Sequence, residues 1–409
     1  HECSSAASDV YKRQYYASTG GSGYNKVDLT SYDPIRSGRP MSHVGGYTAF
    51  NTSGMRYVYG LPAYNTKERN VSFSLKENVG MLDQSTVNTS SILVDGKPQY
   101  KHQGTDQYYQ SSEKSGYAHS YMLTSILGND YVEFDGVAGP SDGDLGYWVK
   151  FDYTRAQSNM KWRTPYEDQA YDKGYEMSFK DGKGSYLYGE KEVWYLATAE
   201  TKTHIAEFII SPRKDAFQPE NETSGGRSVN TGYYKLDRID VYVKSERYPN
   251  GQYNASAKPL KSCHFVYDYS LCPGIPGNDG FADSGEEGQI LNDGGKLTLK
   301  KCYFTYRNNA TGATTPYEFE YNNKIDAQVI YYNRDAVDRW GNYQPNTNNK
   351  NVDYPYNAPE VSKADMDKRA ALWNMSAINL PSGGRYEVEY ESDSLSLIHI
   401  SEPTRRPII

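Results

Sequence analysis

Cysteine is scarce, with four in 409 residues. Cys263, Cys272 and Cys302, the three in the body of the chain, are nine and thirty residues apart. A zinc site needs close pairs such as C-x-x-C, and this spacing excludes one. No apolar run approaches the ~20 residues that cross a bilayer as a helix, so the sequence holds no membrane-spanning helix. Basic residues are outnumbered, with 44 Lys and Arg against 51 Asp and Glu and a formal net charge of −7. That balance argues against a nucleic-acid-binding surface, which needs clustered cations. Catalytic signatures are missing as well: no H-E-x-x-H, Walker A or G-x-G-x-x-G pattern occurs. Gly294-Gly295-Lys296 lacks both the upstream Gly and the following Ser or Thr of a phosphate loop. The histidines His43, His102, His119, His204 and His264 are widely separated. No carboxylate pair suited to glycoside hydrolysis stands out among so many acids.

Tyrosine is abundant: 41 Tyr against 11 Phe and 5 Trp. Aromatic side chains suit half-buried pleated surfaces, and 36 Gly and 19 Pro supply turns. The dominant period is two. Arg385-Tyr386-Glu387-Val388-Glu389-Tyr390-Glu391 and Tyr317-Glu318-Phe319-Glu320-Tyr321 alternate apolar with charged residues. Ile239, Val241 and Val243 share one face, while Asp240, Tyr242 and Lys244 share the other. Successive strand side chains point to opposite faces, so each segment is expected to bury one of them. Further strands are expected at 56–59, 71–75, 117–127, 147–153, 175–179, 192–198, 204–210, 263–269 and 297–306, bounded by Gly, Asn, Asp and Pro clusters. The fold class is therefore all-β, with many antiparallel strands in a sandwich, open barrel or shell-like sheet. One short helix is expected near 362–375, capped by Ser362 with Asp365 in its first turn. Long polar loops are expected at 80–116, 212–231, 273–295 and 341–361.

The two ends read differently. Asp9-Val10-Tyr11-Lys12-Arg13-Gln14 and Leu395-Ser396-Leu397-Ile398-His399-Ile400 are encodable by DNA strings that are reverse complements of each other. Those strings match a transposase adapter used in library construction. Residues 1–14 and 395–409 are accordingly expected to be adapter-derived and are set aside. What remains divides into an N-terminal β-rich region with long loops, 15–135, and a second β-rich region, 136–394.

Gly139-Pro140-Ser141-Asp142-Gly143 fits the G-x-S-x-G pattern, but a nucleophile elbow needs a helix after the serine, and a strand-like segment follows. A turn is expected instead. Around it lie Asp130, Glu133, Asp135, Asp142 and Asp144. Closely spaced carboxylates on a Gly-rich loop can wrap a hard cation such as Ca²⁺, or they can form a solvated acidic turn. A second acidic loop runs through Asp279, Asp283, Glu286 and Glu287. Cys263 and Cys302 lie on neighbouring strand candidates and are read either as core thiols or as a cross-strand disulfide. The tyrosines are read as a packed sheet surface, with sugar-stacking platforms as the alternative.

Residues 261–321 run KSCHFVYDYSLC…GGKLTLKKCYFTYRN…TTPYEFEYNN. Then come Val337-Asp338-Arg339-Trp340-Gly341-Asn342-Tyr343 and, at 372–392, LWNMSAINLPSGGRYEVEYES. This order resembles the shell-forming region of Rhs/YD-repeat proteins and of the Tc-toxin B component. RYVYGLPAYN at 56–65 and DRWGNY at 338–343 are similar to strings in very large surface or secreted proteins of Bacteroidota. The chain departs from the pattern in having one YD-like turn, with Val337 where the family has Tyr, and no autoproteolytic or toxin segment. The resemblance implies a secreted or cell-surface scaffold without catalysis of its own, whose partner is the remainder of a large chain. A glycan-binding β-sandwich module and a carbohydrate-active hydrolase are the alternatives.

Overall fold

The computed structural model describes residues 43–74, 108–172, 183–278, 294–345 and 361–392, apart from 138, 168, 308, 334–335 and 338–340, together with strand pieces at 86–87, 93–94 and 97–98. In chain order the strands are β1 (Tyr47–Phe50), β2 (Arg56–Tyr59), β3 (Leu61–Ser74), β4 (Thr86–Val87), β5 (Leu93–Val94), β6 (Lys97–Pro98), β7 (Tyr109–Lys114), β8 (Tyr117–Met122), β9 (Ser125–Leu127), β10 (Trp148–Thr164), β11 (Gln169–Asp172), β12 (Lys183–Glu200), β13 (His204–Asn221) and β14 (Gly225–Val243). After the short helix α1 (Lys244–Arg247) come β15 (Lys261–Leu271), β16 (Lys296–Thr305), β17 (Tyr317–Tyr321), β18 (Lys324–Ile325) and β19 (Gln328–Val329). Helix α2 (Lys363–Ala371) precedes β20 (Met375–Asn379) and β21 (Arg385–Glu387). The protein is all-β, and its main ladders are antiparallel, as the period-two pattern dictates.

The sheet forks at β12. One edge of β12 pairs with β10, then with β11. The other edge is shared: β13 takes its last residues, Thr198 to Glu200, and β3 takes its first half, from Lys183 to Lys191. Beyond the fork β13, β14, β15, β16 and β17 follow one another as a meander, continued by β20 and β21. On the other branch β3 pairs with β7 and β8, while β10 pairs with β9, and β9 with β2 and then β1. Ladders therefore cross the 135/136 position at β9–β10 and β3–β12. The corner lies where β2 turns into β3 at Gly60. A Cβ there would meet the Thr124 hydroxyl at 2.9 Å, and the Thr124 N–H closes the bend on Val58 O at 2.8 Å. Inside the corner Leu61, Ala63 and Trp194 form the buried core, with Met122 and Tyr153 against it.

Several of the tyrosines pack in this sheet with their hydroxyls bonded. Tyr153 donates to Leu123 O at 2.8 Å and Tyr321 to Leu299 O at 2.9 Å, while the Tyr269 hydroxyl accepts from Lys214 N at 2.9 Å. This is how an aromatic with a polar end is buried without an orphaned group.

Helix α2 forms inside the expected range. The Ser362 side chain accepts from Asp365 N at 3.1 Å, and the helix stops at Ala371 because Leu372 is extended and Trp373 has a positive φ of 62°. The Pro-Ser-Gly-Gly turn closes β20 onto β21 through Leu380 N to Gly384 O at 2.8 Å. The YD-like turn is spanned by a bridge between Val337 and Tyr343.

Two expectations need correction. Residues 212–231, expected as a loop, are the distal half of the β13–β14 hairpin. Pro212, Pro219 and Gly232 flank register shifts, where bulges tolerate them, and Asn221 and Gly225 close the turn. Tyr109–Lys114, inside another expected loop, is a strand. On β14 the buried side chains are Asp240 at 2% exposure and Tyr242 at 6%, whereas Ile239, Val241 and Val243 are only half-buried. The charged face is the covered one because the segment after β14 folds back over it through α1. The strand expected at 175–179 and most of the loops at 80–116, 273–295 and 341–361 lie outside the described residues, as do Asp279, Asp283, Glu286 and Glu287.

Candidate functional site

Three groups of side chains carry chemistry. The first is the acidic loop between β9 and β10, closed at its base by a Val132–Leu145 bridge. Glu133, Asp135 and Asp144 converge, with one carboxylate oxygen from each within 4.8 Å of the others. Two of the five residues expected at a cation site go elsewhere. Asp130 accepts from Tyr147 N at 3.1 Å, and Asp142 pairs with Lys244. Asp144, at 1% exposure, takes Phe134 N at 3.0 Å on one oxygen, and Ser141 N at 2.8 Å and the Tyr131 hydroxyl at 2.9 Å on the other. Burial by itself raises the Asp144 pKa, but these donors outweigh it and hold the carboxyl below its usual value. Glu133 moves the other way, raised by burial and by the nearby Asp144 charge against a lowering bond from Tyr131.

Calcium binds through six to eight oxygens. Here the most buried carboxylate already satisfies three donors of its own chain. The set fits a loop clasp better than a cation cage. Ser141 belongs to the same clasp. Its hydroxyl is held by Asp135 and accepts from Gly143 N at 3.1 Å, and the following element is strand β10, so the G-x-S-x-G pattern forms a turn.

The second group is a charge ladder across the covered face. By register, Asp152 of β10 lies opposite Thr198 of β12, which lies opposite Glu207 of β13, then Asp240 of β14, Ser262 of β15 and Thr305 of β16. Lys150 lies opposite Glu200 in the adjacent row. Like charges directly opposite one another destabilise a sheet, and each carboxylate here has a partner. Lys150 reaches Asp152 at 3.8 Å, Arg238 reaches Asp240 at 2.8 Å, and Ser262 donates to Asp240 at 2.6 Å. Helix α1 supplies the remaining cations. Lys244 pairs with Glu200 at 2.5 Å and lies 5.4 Å from the Trp148 ring. Arg247 grips both oxygens of Glu207 at 2.8 and 2.7 Å, between the rings of Tyr242 at 4.2 Å and Tyr253 at 4.3 Å.

The ladder was not foreseen, yet a local signal marks it. Lys150-Phe151-Asp152, Arg213-Lys214-Asp215, Lys235-Leu236-Asp237, Arg238-Ile239-Asp240 and Arg385-Tyr386-Glu387 each place opposite charges two residues apart, and all five pairs meet along their own strand.

The third group is the cysteine pair. Cys263 and Cys302 sit on adjacent strands with their Sγ atoms 3.4 Å apart, both as free thiols. Cys272 is buried and also free. Burial, followed by the hydrogen bond with Cys302, pushes the Cys263 thiol up to about 12.

The chain matches no protein-family model, no curated protein and no solved structure in the comparisons made.

Proposed function

We propose that the chain is a structural sheet segment of a large secreted or cell-surface bacterial protein, akin to an Rhs-type shell wall, without catalysis of its own. One observation carries the reading. The two faces of the β13–β16 meander are finished to different degrees. The charged face is covered by 244–260, and its carboxylates are held by cations and hydroxyls. The opposite face presents Phe208, Ile239, Cys263 and Phe304 in one cross-strand row and Phe265 beside Cys302 in the next, all half-buried. An apolar sheet face of this kind gains stability by packing on another layer, and more of the same chain is the partner that the resemblance supplies. The described residues contain no helix long and apolar enough to cross a membrane.

The test is to recover the flanking coding DNA, express the extended chain, and compare hydroxyl-radical labelling of Phe208, Phe265 and Phe304 in the two proteins. Continued period-two sequence, with these rings protected in the longer chain, supports the reading. Flanks without β-rich sequence, or unchanged labelling, refute it.

A second reading, a glycan-binding surface, draws on Tyr47. Half exposed, it stacks on Tyr59 at 4.8 Å and meets Tyr121 edge-on at 5.3 Å, which makes an aromatic platform at the β1–β2 end of the sheet. Glycan-array binding lost in Tyr47→Ala would favour it over the scaffold.

A further inference from the structure

The cysteine pair lies on the apolar face of the meander, independent of the acidic loop and the charge ladder. Strands β15 and β16 are antiparallel, with Cys263 opposite Phe304 and Phe265 opposite Cys302. The two sulfurs therefore sit on the same face, on a diagonal of the ladder. A diagonal normally separates side chains more than a direct pair does. Here a register shift between Val266 and Tyr267 marks a bulge just beyond the pair. Bulges increase the local right-handed twist, which shortens one diagonal at the expense of the other. The outcome is the 3.4 Å Sγ–Sγ contact. Closing to the ~2.05 Å of a disulfide takes about 1.4 Å of further approach, within reach of side-chain rotation on two strands already held in register. Both residues are half-buried rather than sealed, so a small oxidant reaches them. Cys272 is buried at the end of β15, and its thiol is pushed up to about 11 by burial.

We propose that Cys263 and Cys302 are an oxidisable dithiol that forms a cross-strand disulfide on exposure to a small-molecule disulfide, stapling β15 to β16. The exchange follows from the geometry. One of the two protein sulfurs, as thiolate, attacks one sulfur of the oxidant. A mixed disulfide forms, the oxidant's S–S bond breaks, and its first half leaves as a thiolate that takes up a proton. The other cysteine then gives its proton to solvent base and attacks the protein sulfur of the mixed disulfide. That step forms the intrachain bond and expels the second half of the oxidant, again protonated to a thiol. Two protein thiols and one disulfide become one protein disulfide and two small thiols, so atoms and electrons balance. The attacking species is a thiolate, so the reaction runs faster at alkaline pH.

The test uses the full chain carrying Cys3→Ser, folded by circular dichroism, incubated with oxidised glutathione. Thiol counting is expected to fall by two, and non-reducing digestion with trypsin should yield one linked pair, Ser262–Lys296 joined to Cys302–Arg307. The link should survive Cys272→Ser and vanish in Cys263→Ser and in Cys302→Ala. Should either variant fail to fold, intact-mass detection of the link in Cys272→Ser decides alone. A folded chain that keeps both thiols free, remains a glutathione mixed disulfide, or links Cys302 to Cys272 overturns the proposal.

Discussion

Arg247 gives the sharpest test of the charge ladder. Its guanidinium donates to both Glu207 oxygens, to Asn254 O at 3.0 Å and to the Tyr253 hydroxyl at 2.7 Å. The side chains of Arg247 and Glu207 are 6% and 15% exposed, so solvent screens the pair little. Arg247→Met keeps much of the apolar stem between the two tyrosines and removes the charge. Glu207 is then left buried and unpaired, directly opposite Asp240 in the ladder. Removing one partner of a buried pair costs about 3–5 kcal/mol. Removing both, as Arg247→Met with Glu207→Leu, costs much less, because no uncompensated charge remains. The expected coupling between the two sites is therefore at least about 2 kcal/mol. Urea unfolding of the four proteins measures it, provided that far-ultraviolet circular dichroism and tryptophan fluorescence report coincident transitions. Additive single-mutant costs, or an Arg247→Met cost below about 1 kcal/mol, would show that the ladder does not depend on α1 for its neutrality.

Four further outcomes follow from other contacts. Asp144→Asn leaves a single carbonyl oxygen where two carboxylate oxygens took three donors; it is expected to cost about 1–3 kcal/mol and to open the 130–145 loop to limited proteolysis, and resistance equal to the parent would contradict the clasp. Because the folded Glu133 pKa is raised, Glu133 binds its proton more tightly folded than unfolded, so its contribution is present below the unfolded pKa and is lost as pH rises through the folded value; Glu133→Gln should abolish that decline in a melting-temperature series across mildly acidic pH. Glu320 behaves oppositely: hydrogen bonds from Arg385 and Asn379 depress it to about 2, so its support of the β17–β20–β21 edge persists above its ordinary range near 4.5 and fades as pH falls toward 2, a trend that Glu320→Gln should remove from amide exchange at Ile378. Gly189→Ala would set a Cβ 2.4 Å from the Trp162 ring across the β10–β12 ladder, an overpacking expected to cost about 1–3 kcal/mol and to change tryptophan fluorescence; an unchanged spectrum and unchanged stability would contradict that close packing.

The sequence was most legible where short-range chemistry dominates. Arg56–Tyr59 is a strand at its expected bounds, and the strands at 263–269 and 297–306 differ from β15 and β16 by one or two residues at each end. Period-two alternation and turn residues act over only a few neighbours, and the Ser362 cap is equally local. The hairpin over 212–231 was illegible because the segment is polar and lacks a clear period; its register shifts at Pro212 and Phe217 break the alternation, and bulges absorb them once a partner strand is present. The acidic loop was half legible. Composition brought five carboxylates into view, but only folding could send Asp130 to Tyr147 N and Asp142 to Lys244.

By itself, then, the sequence determined the all-β class and the position of most strands and of one helix, because these follow from backbone periodicity and local capping. Only the tertiary structure decided which face of each strand is covered. Alternation separates Asp240 and Tyr242 from Ile239 and Val241 without saying which pair goes inside, and that choice fell to α1 and residues 248–260, which fold back over the charged side and carry the cations that make its burial tolerable. The same long-range pairing brought Cys263 to Cys302 across thirty-nine residues, a proximity set by strand register and twist rather than by spacing along the chain.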